Sequence, residues 1–273
     1  MNRREWIQTV GVALPGVACL NLRTPLDRIE KVGVQLYTVR DAMAKDFEGT
    51  ITKVAEIGYQ EVEFAGYYNR DPKAVRALLD KVGLTAPSTH VGFDMMGDAW
   101  PKLLDDAKVI GHQYIVVPSI PDDLRKTQDG YRQAADRFNK AGEAALKAGI
   151  QFGYHNHNAE FQMVDGRMPY DTLLEACDPK LVQFEMDLYW IIFGGADPLK
   201  YFARWPGRFP LVHVKDMTAQ HTMTDVGSGV INWKQLFAHH EAGIKHYIVE
   251  HDQPASPFDS IRASYGYLSK LEF

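Results

Sequence analysis

Residues 154–161 read Tyr154-His155-Asn156-His157-Asn158-Ala159-Glu160-Phe161, directly after the apolar run Ile150-Gln151-Phe152-Gly153. Side chains alternate along a strand, so an extended run sends His155 and His157 to one face and Tyr154 and Asn156 to the other. Two imidazoles then leave the strand end with Glu160 just beyond, a density of polar groups that is costly to bury without partners. The same signature, an apolar strand closing abruptly on acids or histidines, recurs in Phe184-Glu185-Met186-Asp187, in Leu211-Val212-His213-Val214-Lys215-Asp216 and in Tyr247-Ile248-Val249-Glu250-His251-Asp252. Four strand ends of one kind predict one shared site.

Working outward, strand and helix alternate from residue 31 to the end. Strands are predicted over 32–37, 61–65, 85–91, 114–117, the opening stretch, 182–187, 210–215 and 246–250. They are rich in Val, Ile and Phe, as parallel strands buried on both faces tend to be. Helices are predicted over 47–57, 72–82, 99–110, 128–148, 170–176, 198–205, 232–241 and 258–271. Phe47, Ile51, Val54 and Ile57 repeat at helical spacing and Gly58 stops that helix, while Pro72 after Asp71 opens the next. Eight strand-then-helix units in about 240 residues predict an α/β fold, the (β/α)8 TIM barrel, as a single domain over 31–273. A doubly wound sheet needs a glycine-rich turn after its first strand, and Tyr37-Thr38-Val39-Arg40-Asp41 has no glycine. A barrel puts its chemistry at the C-terminal strand ends. The polar residues there are Gln35, Tyr37, Glu63, His90, His155, His157, Glu160, Glu185, Asp187, His213, Lys215, Asp216, Glu250 and Asp252.

Composition narrows the partners. A formal net charge of −5 with no long basic run disfavours nucleic acid. Cys19 and Cys177 are the only cysteines, which excludes a disulfide scaffold and a zinc ribbon. At the N-terminus, Asn2-Arg3-Arg4-Glu5-Trp6-Ile7 precedes a modest apolar segment, 10–20, broken by Gly11, Pro15 and Gly16. It is too short for stable membrane insertion and resembles a twin-arginine export signal, so residues 1–25 are expected to be an export segment and the mature protein periplasmic. The segment lacks an A-x-A cleavage site, and a short surface helix there would leave the protein in the cytoplasm instead.

The motifs His155-Asn156-His157-Asn158-Ala159-Glu160-Phe161, Glu185-Met186-Asp187-Leu188-Tyr189-Trp190, His213-Val214-Lys215-Asp216, Gly227-Ser228-Gly229 and Ile248-Val249-Glu250 resemble the xylose-isomerase-like TIM barrels, known as sugar phosphate isomerases/epimerases or AP endonuclease 2-like proteins. Gly33-Val34-Gln35-Leu36-Tyr37-Thr38-Val39-Arg40 and Glu61-Val62-Glu63-Phe64-Ala65-Gly66 are similar to that group too. The resemblance implies a divalent metal, manganese foremost, with zinc, cobalt, iron or magnesium as alternatives. Family members hold it through an acid after strand five, an Asp after strand six, a His on strand seven and a Glu on strand eight. Asp187, His213 and Glu250 match the last three positions. His155 stands where the commonest pattern has Glu, so either His155 ligates the metal or Glu160 reaches back to do so.

The expected chemistry is proton transfer next to a carbonyl of a sugar or keto-sugar. Glu250, Glu160 and His155 are the candidate bases, His157 and Lys215 further catalytic groups, and His90, Glu63 and Trp190 substrate contacts. Returning the proton gives an isomerase or epimerase, the leading expectation; expelling a substituent gives a lyase or dehydratase on a 3-keto-glycoside or keto-polyol. Two other classes remain: a phosphodiesterase like endonuclease IV, which would need a three-metal cluster and a basic groove that the acidic balance counts against, and a sugar-binding barrel without turnover. Glu185, two residues before Asp187, is expected deeper, orienting a ligand. His112, His221, His239 and His240 are expected to be solvated; Gly227-Ser228-Gly229 could offer amides to an anion, and Trp190, Phe193 and Trp233 could either wall a sugar ring or pack in the core or on the surface. No phosphate cradle or arginine cluster is visible, which favours an unphosphorylated small molecule. Many such barrels form homo-oligomers, though no stretch of this sequence marks an interface.

Overall fold

The structure, a computed structural model, describes residues 26–273. The export segment expected over 1–25 lies outside the described residues. Eight parallel strands close into one barrel: β1 Val32–Gln35, β2 Glu61–Phe64, β3 Thr85–His90, β4 Tyr114–Val117, β5 Gln151–His155, β6 Val182–Asp187, β7 Leu211–Val214 and β8 His246–Val249. Each strand pairs with its neighbour in sequence, and β1 closes onto β8 through Gly33 opposite Ile248 and Val34 opposite Val249. The fold is the expected (β/α)8 barrel, a single TIM-barrel domain.

A helix follows each strand and packs on the outside: α1 Phe47–Ile57, α2 Pro72–Val82, α3 Trp100–Ile110, α4 Gln128–Lys147, α5 Pro169–Ala176, α6 Pro198–Arg204, α7 Trp233–Phe237 and α8 Pro257–Leu268. Their starts follow local chemistry. The Asp46 carboxylate accepts from Gly49 N at 3.0 Å to begin α1, and Asp71 accepts from Lys73 N at 2.9 Å to begin α2. Gly58 ends α1 at φ 118°, where a Cβ would lie 2.6 Å from the Tyr265 ring, so position 58 needs glycine for both backbone and space. Helix α7 is shorter than the sequence predicts; a separate turn, His240–Ala242, follows it. Two further short helices, Arg40–Lys45 and Leu188–Phe193, and a small antiparallel ribbon of Asp216–Met217 with Met223–Thr224 lie in the connections after β1, β6 and β7.

The strands are buried on both faces as expected, and the two faces differ in what they bury. Outward positions such as Val62, Tyr154, Phe184, Met186, Val212, Val214 and Val249 join the large core shared with the helices. Each such side chain contributes about 1.5–3 kcal/mol by leaving water. Inward positions hold only a small apolar cluster, Tyr114, Val116, Leu211 and Ile248. Above and below it the alternation turns Glu63, His90, His155, Glu185, Asp187 and His213, and at the opposite end Glu61 and His246, toward the barrel axis. The polar inward set at the C-terminal end is what the fold assembles into a site.

Candidate active site

Register brings the strand ends to one level, with His155 opposite Glu185 and Asp187 opposite His213. Glu185 stands at the centre. Its Oε2 lies 2.7 Å from His90 Nε2, 3.0 Å from His155 Nδ1 and 3.3 Å from His213 Nε2. Glu63 Oε2 is 2.6 Å from His213 Nε2 and 3.1 Å from His90 Nε2, and accepts from Gln35 Nε2 at 2.7 Å. On the other side of His213, Nδ1 meets Glu250 Oε2 at 2.8 Å. The ammonium of Lys215 sits 2.6 Å from Glu250 Oε2, 2.8 Å from Asp252 Oδ1 and 3.0 Å from Asp187 Oδ2. The other oxygen of Asp187 accepts from Trp190 N at 2.8 Å and so caps the helix Leu188–Phe193.

These groups are almost wholly buried, and burial sets their electrostatics. Burial, reinforced by the facing Glu63 carboxylate, lifts Glu185 to about 7. Against its own burial, Glu63 is held well below the usual carboxylate range by His90 and His213. Also against burial, the carboxylates of Glu63 and Glu185 raise His90 to about 10, while Glu185, Glu63 and Glu250 raise His213. Lys215 and Glu250 stabilise each other's charged forms, so Lys215 is raised and Glu250 lowered although both are desolvated. Burial raises Asp187, with Lys215 opposing. His155 is lowered by burial and the nearby His213, and His157 falls to about 4 through burial and then Lys215.

A cavity of about 590 Å³ opens above this network at the C-terminal end, lined by Tyr37, His90, His155, His157, Lys215, Glu250, Asp252 and Gln253 among others. Trp190 is half-buried beside it, 5.8 Å from the His157 ring, with Lys215 Nζ at the same distance over its indole. The structure thus gathers Glu63, His90, His155, Asp187, His213, Lys215 and Glu250 and flanks them with His157 and Trp190. Glu160 is not among them. Its carboxylate accepts from the Tyr154 hydroxyl at 2.7 Å and from His157 N at 2.8 Å, which folds the loop after β5 and aims His157 at the cavity.

One expectation changes and two open readings are decided. His112 is buried, its Nδ1 2.7 Å from Ala86 O and its Nε2 2.8 Å from the Tyr67 hydroxyl. The amides of Gly227 and Gly229 are taken by Asp216 Oδ2 at 2.9 and 3.2 Å, and the Trp233 indole donates to the same oxygen at 3.1 Å. They brace a loop and leave nothing for an anion or a sugar ring. Sequence reasoning passed over Asn156, whose side-chain amide spans to the β6 end, accepting from Asp187 N at 3.1 Å and donating to Asp187 O at 3.3 Å. An amide residue in a strand-end run of histidines was the available signal.

A divalent cation fits this donor set. Ligand atoms of His90, His155, Glu185 and His213, and separately those of Asp187, His213 and Glu250, lie within 4.8 Å of one another. Glu63 Oε1 and Glu185 Oε1 are buried without a hydrogen-bond partner, a costly arrangement that a cation would relieve. Imidazole with carboxylate suits zinc, manganese, cobalt or iron.

The model of the xylose isomerase-like TIM-barrel family matches residues 51–270. An inosose dehydratase from Lacticaseibacillus casei is 26% identical over 265 residues, covering 81% of this chain and 88% of that one. Another, from Geobacillus kaustophilus, is 24% identical over 193 residues, and that match spans only 61% of either chain. The crystal structure of a sugar phosphate isomerase/epimerase from Parabacteroides distasonis superposes with a TM-score of 0.79 at 28% identity, covering 94% of this chain and 98% of that one.

Proposed function

The chain belongs to the xylose isomerase-like TIM-barrel family, and from that premise we propose that it removes the proton next to a carbonyl of an unphosphorylated sugar or keto-polyol and expels the β-oxygen, as a divalent-metal-dependent lyase. The observation that carries this reading is the imidazole and carboxylate network at the floor of the C-terminal cavity. The cation, when bound by residues meeting at His213, supplies positive charge for the substrate oxygens as the proton leaves. Glu250, His155 and His157 line the cavity and are the candidate bases for the substrate proton. Lys215 places an ammonium beside the oxygen that gains charge, and Glu160 positions His157 through its amide. Lys215 is the only Lys or Arg in the described lining and is already held by three carboxylates, which supports a substrate without phosphate.

The similarity to inosose dehydratases supports elimination. Return of the proton, giving isomerisation or epimerisation, is the second reading, and the broad likeness to the Parabacteroides distasonis isomerase/epimerase supports it. Incubation with an inosose, 3-keto-glycosides and ketohexoses in D2O with Mn²⁺, Co²⁺ or Zn²⁺ separates the two. Elimination yields an unsaturated or diketone product absorbing in the ultraviolet; epimerisation yields the starting mass plus one deuterium. Absence of both across metals and substrates would sink the enzymatic reading. We further propose export through the twin arginines, for which Arg3→Lys/Arg4→Lys retaining the protein in the cytoplasm is the check.

A further inference from the structure

The ladder between β5 and β6 stops short of the site. Phe152, Gly153, Tyr154 and His155 pair with Val182, Gln183, Phe184 and Glu185, and the same register carried on would set His157 against Asp187. The chain turns away instead, into the helical turn Ala159–Phe161, and the His157 amide goes to Glu160 Oε2 at 2.8 Å. Asp187 therefore ends β6 without the strand neighbour that a continued β5 would give it. Asp187 is fully buried, where unpaired backbone groups are costly.

The Asn156 side chain supplies both missing partners. Its Oδ1 accepts from Asp187 N at 3.1 Å and its Nδ2 donates to Asp187 O at 3.3 Å. An amide offers an acceptor and a donor side by side, as a strand backbone does, whereas an ionised carboxylate at the same place would offer acceptors alone. The consequence falls on the Asp187 carboxylate. Its peptide is held through N and O, and its Oδ1 accepts from Trp190 N at 2.8 Å. Oδ2 is left toward Lys215 Nζ at 3.0 Å and His155 Nε2 at 3.6 Å. On the other side, the β6 to β7 ladder already fixes His213 opposite Asp187. Ligand atoms of Asp187, His213 and Glu250 then lie within 4.8 Å of one another.

We propose that Asn156 is a positioning residue of the metal site, which clasps the Asp187 peptide so that the carboxylate is aimed at the cation together with His213 and Glu250. Asn156 does not line the cavity and touches neither cation nor substrate. It acts through Asp187, by removing the freedom that the carboxylate would otherwise lose on binding. The clasp also lets β5 end early, so that His157 leaves the sheet for the cavity without orphaning the end of β6. The inference rests on the metal-dependent reading above, with Asp187, His213 and Glu250 as ligands.

The test measures Co²⁺ affinity of the full chain by chelator competition, with the visible absorption of the bound ion as a report on its ligand geometry. A matched control lies outside the barrel. Asn139 Nδ2 donates to Ala176 O at 3.0 Å and its Oδ1 accepts from Asp178 N at 2.8 Å, a similar two-point clasp joining α4 to the end of α5. Folded Asn156→Ala should bind Co²⁺ about 10–100-fold more weakly, with an altered spectrum. Asn139→Ala should lose thermal stability and keep both affinity and spectrum. Asn156→Ser, which retains a hydroxyl donor and acceptor on a shorter arm, serves if the alanine variant does not fold, and should lose affinity in the same direction. Parent-like affinity and spectrum in a folded Asn156 variant, or an equal loss in Asn139→Ala, overturns the positioning role and leaves the metal reading standing. A folded parent that takes up no Co²⁺, Mn²⁺ or Zn²⁺ overturns the metal reading and this role with it. Circular dichroism of each variant separates loss of affinity from loss of fold.

Discussion

The carboxylate of Glu160 is buried, which raises its proton affinity, yet two donors hold it in place beside the cavity rather than in it. Its removal strands the Tyr154 hydroxyl, so Glu160→Ala should cost about 1–3 kcal/mol in thermal unfolding. Turnover should fall further than stability, because His157 loses its tether; unchanged turnover would show that the loop after β5 holds itself. His112 offers a separate test at residue scale. Burial lowers it to about 4 from an unfolded value near 6.5, with Arg76 adding and the Ala86 carbonyl opposing. The neutral ring is the folded form, so its contribution is fully present above pH 6.5 and is lost as pH falls through 4. Between pH 7 and 4 the wild type should therefore lose about 3 kcal/mol of its stability advantage over His112→Gln. A pH-independent gap in paired melts would refute the buried neutral imidazole.

At the scale of elements, the loop joining β7 to α7 is organised by one side chain. Asp216 accepts from the amides of Met217, Gly227, Gly229 and Ile231 and from the Trp233 indole. The bonds are charge-assisted, each worth about 1.5–3 kcal/mol in isolation. Asp216→Ala should destabilise the chain by roughly 3 kcal/mol and raise hydrogen exchange at Gly227, Gly229 and Ile231 well above that of β7. Protection left intact in the variant would show that the ribbon Asp216–Met217 with Met223–Thr224 carries the loop alone. The same loop decides an open reading: a Gly-Ser-Gly run looks alike whether its amides face a ligand or a distant carboxylate, and only the fold brings Asp216 across.

For the whole molecule, the barrel divides labour between its ends. The C-terminal mouth holds the site, whereas the N-terminal end buries Glu61 against His246 at 2.8 Å, with the Tyr114 ring packed on the imidazole. Glu61→Ala and His246→Ala should each cost about 1–3 kcal/mol by orphaning the partner, with metal content and turnover of the folded fraction unchanged. Loss of bound metal in either variant would mean that the two ends are coupled. No helix among the described residues is long and apolar enough to cross a membrane.

The amino-acid sequence by itself determined the barrel and the end of it that matters. Eight apolar strand runs, spaced for helical crossovers, the last four closing on acids or histidines, leave little choice of fold, because periodicity, helix starts and helix stops are local properties of the chain. It also named His90, His155, Asp187, His213, Lys215 and Glu250, since such groups at the ends of apolar strands have no cheap structural role. What it could not decide were relations between side chains far apart in sequence. Glu185 at the centre of three imidazoles, Glu160 turned toward Tyr154, His112 buried under Tyr67 and Asp216 reaching Gly227 all depend on register, on which face a side chain takes and on what the neighbouring strand presents. Those are set when the barrel closes and each inward group finds its partner at about 3 Å, a distance that no spacing along the chain encodes.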